Sequence, residues 1–312
     1  MEGYFQLKEI NRLAGTDPKG FVEAENDNFQ KKLENPASMI IENLRHSPIV
    51  LLSGPSGSGK TTTSMKLAAE LERRGVGSHS ISLDDYFKTV DPLTTPRTAK
   101  GDYDLESPKC LDMDLLNRHF TELSAGRSIV VPKYEFARQI SYFDPSRTLR
   151  LGSDEIAIFE GIHALNDDIT SVHPEAFKLY VSARSGVADG SELVFKATWM
   201  RLLRRTVRDN LFRGSSAAAT LKMWANVRRG EKANISPFKN RADYQFDSAF
   251  QYEVCVLKKH ALKLFEHLDA DTERYAELMG FIPAMERFAD IDDALLPPDA
   301  LLREFIGGGI YG

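Results

Sequence analysis

The stretch Gly54-Pro55-Ser56-Gly57-Ser58-Gly59-Lys60-Thr61 fits the pattern G-x-x-x-x-G-K-[ST], and it constrains the fold of this chain more than any other feature. Such a loop needs a strand before it and a helix after it, because its backbone N–H groups must face phosphate oxygens at a helix N-terminus. Both flanks are present. Ile49-Val50-Leu51-Leu52 is an apolar run of strand length, and helical spacing runs from Lys60 to about Arg74. Gly75 then supplies a residue suited to the left-handed turn that ends many helices. Lys60 is expected to reach the β and γ phosphates, and the Thr61 hydroxyl to ligate Mg²⁺. Gly54, Ser56, Gly57, Ser58, Gly59 and Thr62 complete the expected nucleotide-binding set. ATPases, GTPases and small-molecule kinases all share this loop. A guanine-reading Asn-Lys-x-Asp is absent, which favours ATP.

From Pro48 onward short apolar runs alternate with longer amphipathic ones, the pattern of βαβ units around a parallel sheet covered on both faces. Strands are expected at 48–53, 79–83, 128–132, 155–159 and 177–181, with a last one at 243–247. A long helix is expected to begin near Ser191. The polar and basic stretch from Ser215 to Asn240, with Pro237, reads as a mobile excursion. Apolar spacing at Val254, Leu257, Ala261, Leu262 and Leu264-Phe265 marks a helical tail. Residues before 47 are polar, with one helical stretch from about Asn28 to Leu44 interrupted at Pro36. The expected organisation is an N-terminal appendage over 1–46, a phosphate-loop domain over 47–268 with a lid at about 187–242, and a C-terminal helical tail over 269–312.

Composition narrows the partners. With 42% hydrophobic and 27% charged residues the chain is neither collagen-like nor wholly disordered. Forty basic against forty-five acidic residues offer no electrostatic footprint for nucleic acid. Cys110 and Cys255 form no Cys-x-x-Cys pair, so neither a disulfide framework nor a zinc ribbon is encoded, and a reducing cytoplasm is the simplest compartment. The apolar runs are too short to span a bilayer and Met1-Glu2-Gly3-Tyr4 does not read as a signal peptide, so no membrane partner is expected. A homo-oligomer is compatible with all of this. Seven histidines show no metal-ligand spacing, and His163, three residues after Glu160, reads as structural or solvated.

Two carboxylates fall at the ends of expected parallel strands, where open α/β sheets place their ligands. They are Asp84 and Glu160. A carboxylate beside a transferring phosphoryl group can take the proton of an attacking hydroxyl, and another can hold a magnesium shell. Acidic residues at strand ends are also ordinary solvated loop residues, so the pair gains meaning only beside the loop.

The chain resembles the uridine kinase and phosphoribulokinase family of P-loop kinases. The matching blocks stand in the family's order: the loop at 54–61, Leu83-Asp84-Asp85-Tyr86-Phe87, Gly101-Asp102-Tyr103-Asp104, Pro132-Lys133-Tyr134-Glu135-Phe136, Phe159-Glu160-Gly161-Ile162 and Arg204-Arg205-Thr206-Val207-Arg208-Asp209. The resemblance covers about 40 to 260 and is strongest to a bacterial-type uridine kinase-like branch, which has stretches similar to 224–231 and 301–308. It implies an α/β, P-loop NTPase-type three-layer fold with a parallel sheet, a helical lid insertion and a helical C-terminal tail. The implied activity is ATP-dependent phosphorylation of a nucleoside, uridine or cytidine, at its 5′-hydroxyl, with Mg²⁺. Asp84 is then the base and lies near the metal, Glu160 is the metal-associated glutamate, and Asp104 grips the ribose hydroxyls. Tyr134 and Phe136 hold the base, although the same Tyr-x-Phe spacing describes one face of any strand. Arg205, Arg208 and Arg213 are lid arginines suited to phosphate. The chain departs from the family pattern at Gln139, where a histidine is usual, and at Ser215, where an arginine is usual. Both departures bear on the nucleoside, so a kinase for another small alcohol or sugar phosphate, or a nucleotide-binding regulatory protein without turnover, stays open.

Overall fold

The computed structural model describes residues 4–99, 101–266, 268 and 275–311. The chain opens with strand β1 (Tyr4–Gln6) and helices α1 (Leu7–Thr16) and α2 (Pro18–Asn43). β2 (Ile49–Ser53) leads through the phosphate loop into α3 (Lys60–Arg73), and β3 (Gly77–Ser82) into a 3-10 turn over Leu83–Tyr86. α4 (Met113–Ser124), β4 (Ile129–Glu135), β5 (Ile140–Leu149), β6 (Glu155–Glu160), the single turn α5 (Asp167–Thr170) and β7 (Phe177–Ser182) follow. β8 (Gly186–Asp189), β9 (Glu192–Phe195), α6 (Ala197–Arg213), α7 (Ala217–Asn234) and β10 (Tyr244–Asp247) come next. The last elements are α8 (Glu253–Phe265), α9 (Tyr275–Glu286) and the short α10 (Arg303–Ile306).

Five strands form one sheet in the order β10-β7-β2-β6-β3, every neighbour pair parallel. Alternation along β2 explains the three layers. Ile49 and Leu51 enter one buried cluster with Phe159, Tyr180 and α4 residues, while Val50 and Leu52 enter the other with Leu67, Val181 and residues of α2, α6 and α8. Side chains on successive strand positions point to opposite faces, so one strand serves both cores. Because β2 is central, the phosphate loop emerges between the ends of β6 and β7.

Five expectations need correction. The strand placed at 128–132 is β4, which pairs antiparallel with β5 as a separate ribbon rather than joining the parallel sheet. The helix expected from Ser191 starts at Ala197, because 192–195 pair with β8 as an antiparallel strand. The excursion at 215–240 is ordered: α7 buries Leu221, Trp224 and Val227, and with them the polar Thr220 and Glu231, the latter paired with Arg201 of α6. The helix expected from Asn28 begins at Pro18 and continues through Pro36, whose ring is itself buried against the core. Residues 1–46, read as an appendage, place Ile10, Phe21, Val22, Phe29, Leu33 and Ile40 in the larger core cluster. The expected tail over 269–312 begins outside the described residues, and Leu301, Leu302 and Phe305 in its last part are fully buried.

Candidate active site

The loop geometry follows from its glycines. Gly57 and Gly59 adopt φ of 74° and 76°, a left-handed conformation that side chains disfavour. At Gly54 an added Cβ would stand 1.9 Å from the Val181 carbonyl oxygen, so strand and loop are in direct contact. α6 supports the loop from outside. Arg201 donates to the Ser56 carbonyl at 3.3 Å, Arg204 to the Gly57 carbonyl at 3.3 Å, and Arg205 to the Ser56 hydroxyl at 2.8 Å. Arg204 is wholly buried and closes on Glu253 at 2.5 Å and on the Ser248 carbonyl at 2.9 Å.

Lys60 reaches back to the Pro55 carbonyl at 3.4 Å. Burial pulls its pKa down, and the charges of Glu160, Asp84 and Glu304 push it back up. Thr61 donates to Glu160 at 3.4 Å. Burial pushes the Glu160 carboxyl up to about 7, against the pull of Lys60. Asp84 opens the 3-10 turn after β3, its backbone N–H donating to the Ser82 hydroxyl at 3.3 Å. Asp84 is exposed at the mouth of the cleft; the surrounding protein raises its pKa by desolvation, and Lys60, Arg213 and Arg208 draw it down. Its neighbour Asp85 does other work: it accepts from Arg147 at 2.7 Å and from the Tyr134 backbone N–H at 3.3 Å, tying the β4–β5 ribbon to the sheet.

These residues fit Mg–ATP. The left-handed glycines turn the loop inward, Ser58 Oγ is buried without a hydrogen-bond partner among the described residues, and the Thr61 hydroxyl and Glu160 carboxylate are hard oxygen donors of the kind Mg²⁺ takes. No group of three or more metal-ligating side chains stands together among the described residues, so a magnesium ion here would draw further oxygens from phosphate and water. The lid arginines converge on one carboxylate. Asp209 lies 3.1 Å from Arg205 Nε, 2.8 Å from Arg208 Nη2 and 3.6 Å from Arg213 Nε. Ser215 donates its backbone N–H to the Asp209 carbonyl at 3.0 Å, which closes the end of α6.

On the acceptor side, Asp104 is buried, one oxygen 2.9 Å from Arg229 and the other without a hydrogen-bond partner among the described residues. Arg229 belongs to the basic stretch expected to be an excursion, and α7 carries it to this position. Tyr134 is buried and packs with Phe87 and Phe136 at centroid distances of 5.5 and 5.0 Å, whereas Phe136 is 57% exposed. Gln139 sits at the exposed tip of the β4–β5 ribbon with φ of 56°, its carbonyl accepting from Val90 at 3.0 Å. Nothing among the described contacts joins its amide to Asp104.

Two residues beside the site, Glu106 and Glu304, were missed by the sequence reading, and a third, His163, was read as structural or solvated. His163 is 1% exposed, and neither ring nitrogen has a hydrogen-bond partner among the described residues. Burial pulls its pKa down to about 4, and the charges of Asp104 and Lys60 act on it, so of the two expectations for this ring, structural or solvated, the buried one holds. Glu106 is pushed up to about 7 by burial, within reach of the charges of Arg205, Asp104 and Asp84. Glu304, far along the chain, accepts from both the N–H and the hydroxyl of Thr62, at 3.2 and 2.8 Å. Only His163 carried a local signal, its place three residues beyond a strand-end carboxylate.

A family model described as the phosphoribulokinase / uridine kinase family matches residues 49–254, more than half the chain and the span that holds the loop, Asp84, Asp104, Glu160 and the lid arginines. The chain belongs to this family. Family membership carries the P-loop kinase fold and, in general, the use of ATP and Mg²⁺. A uridine kinase of Staphylococcus aureus (strain JH9) is 29% identical over 204 residues, covering 64% of this chain and 87% of that protein. Among solved structures, a protein of Bacillus stearothermophilus described as a possible uridine kinase superposes with a TM-score of 0.45 at 17% identity, over 70% of this chain and 100% of that one. D-glycerate 3-kinase from Cryptococcus neoformans superposes with a TM-score of 0.35 at 15% identity, over 82% of this chain and 87% of that one. Among the described residues no helix is long and apolar enough to cross a membrane.

Proposed function

We propose that this kinase transfers the γ-phosphoryl group of ATP to the 5′-hydroxyl of a nucleoside, uridine or cytidine. The observation that carries the reading is Asp104: a buried carboxylate with one oxygen fixed by Arg229 and the other unpaired by any described residue. Such an oxygen suits a sugar hydroxyl, and the Phe87, Tyr134 and Phe136 rings, packed on one another, offer an aromatic surface for a base. Bound Mg–ATP supplies the phosphoryl group and the cation that offsets its charge. Thr61 and Glu160 hold the metal side, and Lys60 with Arg205, Arg208 and Arg213 steadies the negative oxygens. Asp84 accepts the proton as the acceptor oxygen bonds to phosphorus and the bond to the ADP leaving group breaks. Its raised pKa makes it a stronger base than a solvated aspartate.

One observation favours a second reading. Arg228, Arg229 and Lys232 line an open depression of about 670 Å³ on α7, next to Asp104, and a cationic wall suits an acceptor that carries its own anion, such as a sugar phosphate or sugar acid. The two readings separate on kcat/KM for uridine, cytidine, adenosine, their 2′-deoxy forms, a sugar phosphate and a sugar acid. If Asp104 reads the ribose, loss of one hydroxyl lowers kcat/KM by about 5- to 150-fold, the equivalent of roughly 1–3 kcal/mol for an unpaired buried group. Gln139 cannot reproduce an imidazole, so uridine and cytidine should be poorly discriminated. Equal rates for ribo and deoxy substrates would remove Asp104 from the sugar, and turnover confined to the anionic acceptors would replace the nucleoside reading with the second.

A further inference from the structure

The first turn of α3 holds the donors that make a phosphate loop work. The N–H groups of a helix's first turn have no partner within the helix and attract anions. In this chain one of those donors is already engaged. A single oxygen of Glu304 accepts both the Thr62 backbone N–H at 3.2 Å and the Thr62 hydroxyl at 2.8 Å. Its charge also acts on Lys60 and on Glu160, two charged groups at the phosphate end of the site.

The segment that brings Glu304 there is firmly seated. Leu301, Leu302 and Phe305 are fully buried, and the Leu301 side chain lies so close to Gly59 that a Cβ there would meet it at 2.7 Å. Asp299 pairs with the buried Lys66 of α3 at 2.5 Å, and the Arg204 guanidinium lies 5.3 Å from the centre of the Phe305 ring. Glu304 itself is only partly buried, unlike Leu302 before it and Phe305 after it. The backbone is therefore held while one carboxylate can swing.

We propose that Glu304 is an affinity-determining residue of the nucleotide site, whose carboxylate competes with nucleotide phosphate for the Thr62 donors. A nucleotide phosphate reaching the start of α3 must displace Glu304 from Thr62 or share the helix terminus with a like charge. Either way the free protein holds an internal anion in the phosphate position, and nucleotide affinity is set below what the loop alone would give. The C-terminal segment stays docked through its apolar residues, so the competition is local to one side chain. This rests on the reading of the loop as a nucleotide site, and the test keeps the two apart.

The experiment is calorimetric titration of ADP into the full-length wild type, Glu304→Gln, Glu304→Ala and Lys60→Ala, each with Mg²⁺ and with a chelator, beside thermal melts without nucleotide. Glu304→Gln keeps an oxygen acceptor for Thr62 while removing the charge. We expect it to bind ADP about 5- to 30-fold more tightly, the size of one charge at a partly buried helix terminus, with the gain present in chelator and shrinking at high salt. Glu304→Ala should tighten binding as well if its melt stays near that of the wild type. Unchanged affinity in both Glu304 variants would make the carboxylate a helix cap alone and overturn the proposal. Weaker binding seen only with Mg²⁺ would make Glu304 a metal-side ligand and overturn it too. If the wild type and both Glu304 variants all fail to bind ADP, both this proposal and the nucleotide reading fall; if only the wild type and Lys60→Ala fail while Glu304→Gln binds, the proposal stands.

Discussion

Glu106 and His163 show how much burial alone decides at single residues. Both lack a motif, and both are shifted by desolvation before any specific charge, Glu106 up to about 7 and His163 down to about 4. The signs for stability are opposite. A glutamate whose folded pKa exceeds its ordinary 4.5 stabilises the fold at low pH, and that contribution is lost as pH rises toward 7. A histidine whose folded pKa lies below its ordinary 6.5 contributes above that value and loses the contribution as pH falls toward 4. Across the overlap the two act in opposite directions, and Glu160, raised in the same way as Glu106, adds to the first, so the wild-type profile does not separate them. The Glu106→Gln variant exposes the first. The stability of the wild type relative to this variant should be larger at pH 5 than at pH 8, by up to about 3 kcal/mol at about 1.4 kcal/mol per pH unit. Urea unfolding of both proteins without nucleotide at the two pH values checks this, and a pH-independent difference would contradict it. Lys60, Asp84 and Glu160 were legible in the sequence because a motif and strand ends locate them. His163, Glu106 and Glu304 were not, since their meaning lies in burial and in approaches that no local pattern encodes; Glu304 meets Thr62 across 242 positions.

Among the elements, α6 does two jobs: its outer arginines face the site and its inner ones brace the loop. Arg204, to which the sequence alone assigns no role of its own, is the brace. It is wholly buried against Glu253, whose own carboxyl is raised by burial and drawn back by Arg204. Removing one partner of such a pair leaves an uncompensated charge, which costs on the order of 3–5 kcal/mol. Arg204→Met should therefore lose about that much unfolding free energy, and the double variant Arg204→Met/Glu253→Leu should recover a good part of it. Chemical denaturation of the three proteins decides, and a single variant as stable as the wild type would mean the pair is not the brace described. The elements themselves were read unevenly. β2, α3, β6 and β7 were legible because continuous apolar runs and helical spacing specify them. α7 was misread because its arginines and Gly230 outweighed Leu221, Trp224 and Val227, the large apolar residues of its buried face. The β4–β5 ribbon was misread because an apolar run does not say which strand it pairs with.

For the whole molecule, a five-stranded parallel sheet gathers residues from distant parts of the chain at one end of its strands: the loop after β2, Asp84 after β3, Glu160 after β6, the α6 arginines, and Glu304 from the last described segment. Parallel sheets place their ligands there because every strand points the same way. The N-terminal helices share the core of this unit, with β1 pairing to β8 at the entry to the lid. The central claim is that this assembly moves a phosphoryl group from ATP to a hydroxyl on a small acceptor. Its most direct test is Mg²⁺-dependent and acceptor-dependent ADP release, with the phosphorylated product weighed by mass spectrometry, for the wild type, Lys60→Ala and Asp84→Asn. The account predicts turnover with at least one hydroxyl acceptor, a product heavier by one phosphoryl group, loss of turnover in Lys60→Ala with an unchanged melt, and a kcat lower by about 10²–10⁴ in Asp84→Asn while ATP still binds. Wild-type turnover in a folded Lys60→Ala, or ADP release that no acceptor stimulates, would contradict it.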